Sequence, residues 1–553
     1  MQTTHMRTIL SALVIITLLA ATPATAQSTP PSVAQRQAMK PRLVVNIVVS
    51  GLPADRLERF RGGLSANGFA RLTAEGTNFR SARYGYMQTL SPTGIATITT
   101  GVNPSMHGVV AGAWIDYVTG GRVDLTGEGS AEGLGSDAGT QGYSPRHVVM
   151  PTLGDKLLSE SPGSKVISIA SDPASAIVAG GQSGTAYWMD SQRAVWVSST
   201  AYMTALPAWV NDCNAERPAN RYVEEGWTPA RPMRQYIDQS NSIFGGEGGG
   251  ARITTFRRAG VTDYEAMLHT PSGNSLVADF ARRAVTGEQL GADDATDILN
   301  ICFDASRHVG ERFGGASMEV EDMIYRLDMD LGDMVNAIST QVGADAVLYV
   351  LTSDHGTSTA ADGTTKTNGG VERDRFNTAQ FKTILNSFLG VQFGPGEWVL
   401  DYIDRQVYLN HNLVYQRNLD LETVRSRAAT FVLQFRGVSH VLSSSALSGG
   451  YFGAGYGLRM QNSFYPRRGG DLMLNLMPGW IEERAGVRSL SGSMYDYDTH
   501  VPLTLFGWRI PAREIDTAVD MTSLAPTLAW LMGMGRPTAS DGVLLPEVEI
   551  ITQ

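Results

Sequence analysis

Five continuous apolar runs constrain the fold of this chain more than any other feature: "LVVNIVV" from Leu43, "KVISIA" (165–170), "DILNICF" (297–303), "AVLYVL" (346–351) and "VPLTLFG" (501–507). A strand with one wet face alternates apolar and polar residues, whereas an unbroken run fits a strand covered on both faces. Segments of helical spacing lie between the runs. "MEVEDMIYRLDMDLGDMVNAIS" (318–339) sets Val320, Met323, Leu327, Leu331 and Val335 on one face. "TSLAPTLAWLMG" (522–533) opens on Thr522 as the expected N-cap and stops at Gly533. Alternating strands and helices of this kind predict an α/β domain with a central, largely parallel sheet flanked by helices. Two stretches break the rhythm. Residues 190–270 are rich in Trp, Tyr, Pro and Gly and contain "FGGEGGG", and residues 370–465 mix helix and strand signals without a motif. Both are expected to be cap regions inserted into a main domain spanning 41–553, and no internal repeat is visible.

The first residues read as an export signal. Arg7 supplies charge, "ILSALVIITLLAA" is a short apolar run, and "ATA" ending at Ala26 fits cleavage before Gln27. Residues 1–26 are therefore expected to be removed, with 27–40 a flexible leader, and the mature protein to be periplasmic or secreted. No later stretch is long and apolar enough to span a membrane. The net charge of -10, with no long basic run, argues against nucleic acid as a partner. There are only two cysteines, Cys213 and Cys302. Whether they pair is open at this level, so stability must come from the core.

Three motifs carry chemistry. "LTSDHGT" places Asp354 and His355 directly after a buried strand, an oxygen and a nitrogen donor that suit zinc. "CFDASRHVG" places Asp304 after another strand and His308 four residues on, where a helix would turn both to one face. Each pair alone reads first as polar surface, or as a turn with a helix-capping Asp. Together they gain weight, because strand ends of one parallel sheet point the same way. "TLSPTGIATITTG" (89–101) puts Ser91 before a helical stretch, with Thr93 as a second hydroxyl. A hydroxyl at a helix start sees the positive end of the dipole, a suitable place to attack a phosphate, though a plain N-cap would look the same.

These residues resemble the alkaline phosphatase superfamily in its phosphodiesterase-like branch, closest to the phosphate-irrepressible bacterial alkaline phosphatases. "LVVNIVVSGLPADRL", "GVNPSMHGVVAGAWID", "GYSPRHV", "TAYWMD", "DASRHVGERFG", "TSDHG" and "YDYDTHVPLTLFGW" fall in the family's order along nearly the whole mature chain. The resemblance implies an alkaline-phosphatase-like fold, two zinc ions, and a hydroxyl nucleophile that becomes phosphorylated. On that basis the nucleophile falls on Ser91, where this branch often has Thr. Asp304 and His308 match two ligands of one zinc, and Asp354 and His355 two of the other.

Several positions depart from the family. The aspartate expected to bind zinc at the end of the first strand is Ser50. The last zinc histidine, in a "THG" motif, falls on Ser491 in "LSGSMYDYDTH", and His500 lies further along. The phosphate-gripping Asn corresponds to Gly112, and the gripping Lys and Arg to Asp172 and Ala174. Zinc is therefore expected at reduced occupancy. Two readings follow: a zinc-dependent phosphate-ester hydrolase with a partly degraded metal and phosphate site, taking a small-molecule phosphate ester, or a catalytically inactive periplasmic pseudoenzyme that binds a ligand or partner. The exported protein is expected to begin at Gln27. Intact-mass measurement of protein recovered outside the cytoplasm checks this, and a chain still carrying residues 1–26 in the membrane fraction would refute it.

Overall fold

The computed structural model describes residues 40–137, 140–238, 255–258, 261–358, 374–540 and 542–547. The expected signal peptide, all of the leader but Lys40, and the "FGGEGGG" loop lie outside the described residues.

The apolar runs form the middle of an eleven-stranded sheet. Strand β1 (Leu43–Val49) is fifth of the eleven, next to the central one. β2 (Val166–Ala170), β3 (Asp297–Phe303) and β4 (Val347–Thr352) run parallel to it, in the order β4-β1-β3-β2. Alternate residues of β1 serve two cores. Leu43, Val45, Ile47 and Val49 face the side covered by Pro271–Gly287 and Met318–Val342. Val44 and Val48 face the side covered by helix α1 (Ser91–Thr100) and by Leu524–Leu531. Burial on both faces explains why these runs are uninterrupted. The run at 501–507 yields Leu503–Gly507, which pairs antiparallel with β4 near one edge.

Local signals were mostly obeyed. The helix expected over 318–339 runs from Met318 to Val342 and is capped by the Ser317 hydroxyl. The C-terminal helix differs from expectation at its start. The cap is Asp520, whose carboxylate accepts from the Thr522 amide, and a 3₁₀ turn over Met521–Ser523 leads into Leu524–Leu531. A carboxylate is the better acceptor at the positive end of a helix, so the earlier residue takes the role.

The two interrupting stretches are built differently from each other. Within 190–270, Val195–Ser199 pairs with Thr185–Asp190 and so extends the main sheet. Within 370–465, β5 (Val399–Ile403), β6 (Gln406–Leu409) and Val438–Ser443 form a second sheet. Its fourth strand, β7 (Leu472–Leu476), lies beyond 465 and pairs with both β6 and Val438–Ser443. This lobe has its own apolar core around Trp398, Leu409 and Val432.

Register is what the sheet contributes to function. Val49 lies opposite Phe303, Val48 opposite Thr352, and Cys302 opposite Ala170. The next residues, Ser50, Asp304, Asp354 and the start of the Ser171–Asp172 turn, therefore emerge together at the carboxyl edge, where open α/β sheets hold ligands. Helix α1 packs directly over this edge through Gly94, where an added Cβ would lie 1.9 Å from the Asp354 carbonyl oxygen. Gly94→Ala is expected to lower stability by ~1–3 kcal/mol, the usual cost of overpacking. Gly112→Ala, with nothing within 4 Å of the new methyl, should leave the melting temperature unchanged in the same calorimetric comparison.

Candidate active site

Ser91 is the first residue of α1, and the N-cap is Leu90, so the serine hydroxyl is not spent on capping. Its Oγ lies 3.0 Å from His355 Nε2 and 3.0 Å from Ser50 Oγ. Nδ1 of His355 faces the carbonyl oxygen of Gly356 at 2.5 Å. A carbonyl only accepts, so Nδ1 carries the proton and, in the neutral ring, Nε2 is left to accept from Ser91. Ser50 donates to Asp354 Oδ2 at 2.6 Å, and Gly51 N donates to Oδ1 at 3.1 Å. The Ser50 oxygen can then accept from Ser91, whose single proton is shared between an imidazole and a hydroxyl.

A cavity of about 230 Å³ opens above Ser91. Of the positions singled out in the sequence, Ser91, His355, Gly112, Asp172, Ala174 and Ser491 all line it. Ser50, Asp354 and Asp304 are buried at the sheet edge without lining it. Thr93 is buried within α1, and its hydroxyl has no partner. His500 is elsewhere: its Nε2 approaches the Arg80 carbonyl oxygen at 2.8 Å. Cys213 and Cys302 are buried free thiols.

Asp304 and His308 share a helix start, with the His308 amide donating to the Asp304 carbonyl, yet their side chains do not converge. Asp304 Oδ1 accepts from Ser175 Oγ at 2.6 Å, and Oδ2 from the Asp172 amide at 2.9 Å and Ser171 Oγ at 3.3 Å. Burial, with Asp172 second, raises its pKa, opposed by Arg307 and Ser175. His308 lines a separate cavity and stacks on His269 with ring centroids 3.7 Å apart. Burial, then Arg307 and His269, hold its pKa well below that of a free imidazole.

Arg307 explains the separation. It lies between Asp304 and His308 in sequence, and its guanidinium bonds Asp172 at 3.2 Å and Glu311 at 3.3 Å. One Nη reaches to 3.4 Å from His308 Nε2. Burial would lower its pKa, but Glu311 and Asp172 outweigh that and raise it, so it is a permanent cation. This donor set does not fit a two-zinc centre. Asp304 already accepts from three donors, a fixed cation sits beside its histidine, and Ser50 and Ser491 carry neutral hydroxyls. Among the described residues no three His, Cys, Asp or Glu side chains gather as a metal cluster.

The architecture matches known proteins closely. Residues 44–480 match the type I phosphodiesterase / nucleotide pyrophosphatase family. The chain belongs to that family. It is 30% identical over 523 residues to alkaline phosphatase PafA of Elizabethkingia meningoseptica, covering 92% of this chain and 94% of that one. It is also 30% identical over 524 residues to a Myroides odoratus protein named calcium-transporting ATPase, with 92% and 94% covered. Alkaline phosphatase PhoV of Synechococcus elongatus is 28% identical over 528 residues, with 94% of each chain covered. The crystal structure of wild-type PafA superposes with a TM-score of 0.85 at 29% identity, over 92% of this chain and 99% of that one. The fold is thus the alkaline phosphatase fold expected from the sequence, and the family is one of hydrolases.

The residues missed from sequence are mostly charged ones that converge over long range. Arg405, Arg484, Asp404, Glu482 and Glu311 join Arg307 in lining the cavity. Arg307 stood inside a quoted motif. "YIDRQV" could have been read as a two-residue turn, since "VLDYI" before "DR" and "QVYL" after it are both rich in strand-forming residues.

The loop bearing Ser491 is held by Asp498, whose carboxylate accepts from Ser493 N and Oγ. Burial raises the Asp498 pKa to about 7 from 3.8. The folded state therefore holds this proton more tightly than the unfolded one. Its contribution to stability is full below pH 3.8 and is lost as pH rises to about 7. Asp498→Asn should flatten that part of the stability profile and melt above the parent at pH 8. Urea titrations across the range check this, and an unchanged slope would refute it.

Proposed function

We propose that this chain is an exported phosphoric ester hydrolase acting on a small-molecule phosphate ester, with Ser91 as the nucleophile and His355 as its base. The observation that carries this reading is the 3.0 Å approach of Ser91 Oγ to His355 Nε2 at the floor of the cavity. A nucleophile within hydrogen-bond reach of an oriented base is the recurring arrangement for covalent catalysis. Ser91 Oγ attacks phosphorus and gives its proton to Nε2. The ester P–O bond breaks, the alcohol leaves with that proton, and water then releases the phosphoryl group from Ser91. Family membership suggests a metal cofactor, and the ligand set supports zinc only at less than two ions per chain.

Asp172 favours the second reading, a pseudoenzyme that holds a ligand. Its carboxylate stands where the family resemblance places a phosphate-gripping lysine, and it would repel a phosphate that came close. The two readings separate on one purified sample. With an aryl phosphate, slow turnover is expected that Ser91→Ala abolishes and Thr93→Ala spares, with phosphoserine at Ser91 after acid quenching. His355→Gln should cost ~10²–10⁴-fold, the usual range for a general base. Elemental analysis should find fewer than two zinc ions per chain. Absence of both turnover and phosphoserine would overturn the hydrolase reading in favour of the ligand-holding one, and two retained zinc ions would overturn the metal assignment.

A further inference from the structure

Three guanidinium groups line the Ser91 cavity, and they differ in what they already hold. Arg307 bonds Asp172 and Glu311. Arg484 bonds Asp404 at 3.1 Å and Glu482 at 2.9 Å. Arg405 is 4% exposed, and among the described residues no carboxylate lies within ion-pairing distance of it. Among the described residues its one side-chain hydrogen bond is from Nη1 to Asn475 Oδ1, at 3.5 Å. Of the acidic groups nearby, Asp404 pairs with Arg484, and Asp498 accepts the Ser493 amide and hydroxyl on Oδ2 alone; the Arg405 charge reaches both carboxyls only from beyond ion-pairing distance. A guanidinium withdrawn from water to this degree normally has a partner of opposite charge.

The backbone that delivers Arg405 points the same way. β5 and β6 are joined by a two-residue turn, with Ile403 paired to Gln406. Asp404 and Arg405 have φ of 43° and 66°. A tight hairpin of this hand favours Asn or Asp followed by Gly, because a side chain strains a left-handed conformation. This chain keeps Asp at the first position and puts Arg where Gly would be free of strain. Such strain persists where the side chain is needed and its surroundings hold it. Here the Arg405 carbonyl accepts from Leu474 N at 2.9 Å, and Gln88 Nε2 donates to the Asp404 carbonyl at 3.0 Å. Gln88 belongs to the segment that enters α1, so the turn is tied to the chain that carries Ser91. The two meet at Gly492, where an added Cβ would lie 3.4 Å from Leu90 Cδ2 and 3.9 Å from Arg405 Cζ.

We propose that Arg405 is the substrate-binding residue of this cavity, donating to the anionic oxygens of the phosphoryl group. It supplies from a hairpin of the second sheet the cation that Asp172 and Ala174 do not supply from the main one. This rests on the proposed phosphate-ester chemistry, and the test keeps the two apart. Binding is measured by titration calorimetry on the full chain carrying Ser91→Ala, so that no turnover intervenes. The ligands are phenyl phosphate and its neutral triester, dimethyl phenyl phosphate. Arg405→Gly removes the cation while suiting the turn, and Arg405→Lys keeps the charge but loses the planar fork.

Phenyl phosphate is expected to bind the Gly variant at least about tenfold more weakly, as for loss of a hydrogen bond to a charged group. The Lys variant should fall in between. Triester binding should be equal in all three proteins, and the Gly variant should melt no lower than its parent. Equal binding of phenyl phosphate with and without Arg405 would overturn this assignment and leave the phosphate-ester reading standing. Failure of the Arg405-containing protein to bind phenyl phosphate would overturn both. Equal weakening of the triester would also overturn it, by showing that Arg405 only shapes the cavity.

Discussion

The register of β1 against its two neighbours is the constraint on which the site depends. Hydrogen bonds on both sides of β1 bring Ser50, Asp304 and Asp354 out of the sheet level with one another. A slip of one residue on either side would send the alternate side chains to the opposite face and separate these groups. Because β1 is buried on both faces by two different cores, such a slip would also turn apolar residues toward the wrong neighbours. The close packing of Gly94 on the Asp354 carbonyl then sets how far Ser91 stands above the strand ends. Sheet and helix together give the 3.0 Å distances around Ser91, and no long flexible side chain is needed to reach them.

Within that frame, Ser50 has a definite part. A carboxylate at the end of β1 would bring a second negative charge up against Asp354. The hydroxyl instead donates to Asp354 and stays close to Ser91. Asp354 and Ser91 are thereby linked through a short neutral group. Whatever residue the family resemblance leads one to expect at this position, Ser50 is fully integrated in hydrogen bonds here.

Much of the main domain was legible in the sequence because it rests on local patterning. The five apolar runs became strands close to their expected bounds, and Ser91, Asp354 and His355 came together as the parallel-sheet argument required. What could not be read depends on contacts between distant segments. The spacing of Asp304 and His308 permits convergence, but the residue between them, Arg307, finds Asp172 and Glu311, and His308 turns to His269. The second sheet was hidden for a similar reason, since β7 completes it from outside the stretch that looked inserted. Arg405 reaches the cavity from that sheet, and no local pattern announces which side of a hairpin tip will face a distant helix.

Arg307 carries a consequence for how this molecule is made ready. A metal ion has to be acquired after folding, can be stripped by a chelator, and can be displaced by a competing ion. The positive charge among Asp172, Glu311 and His308 is part of the polypeptide. It arrives with translation in a fixed ratio of one per chain, cannot be lost to the medium, and does not depend on supply. That part of the cleft is electrostatically complete as soon as the chain has folded, and scarcity of transition metals in its surroundings would leave it unchanged.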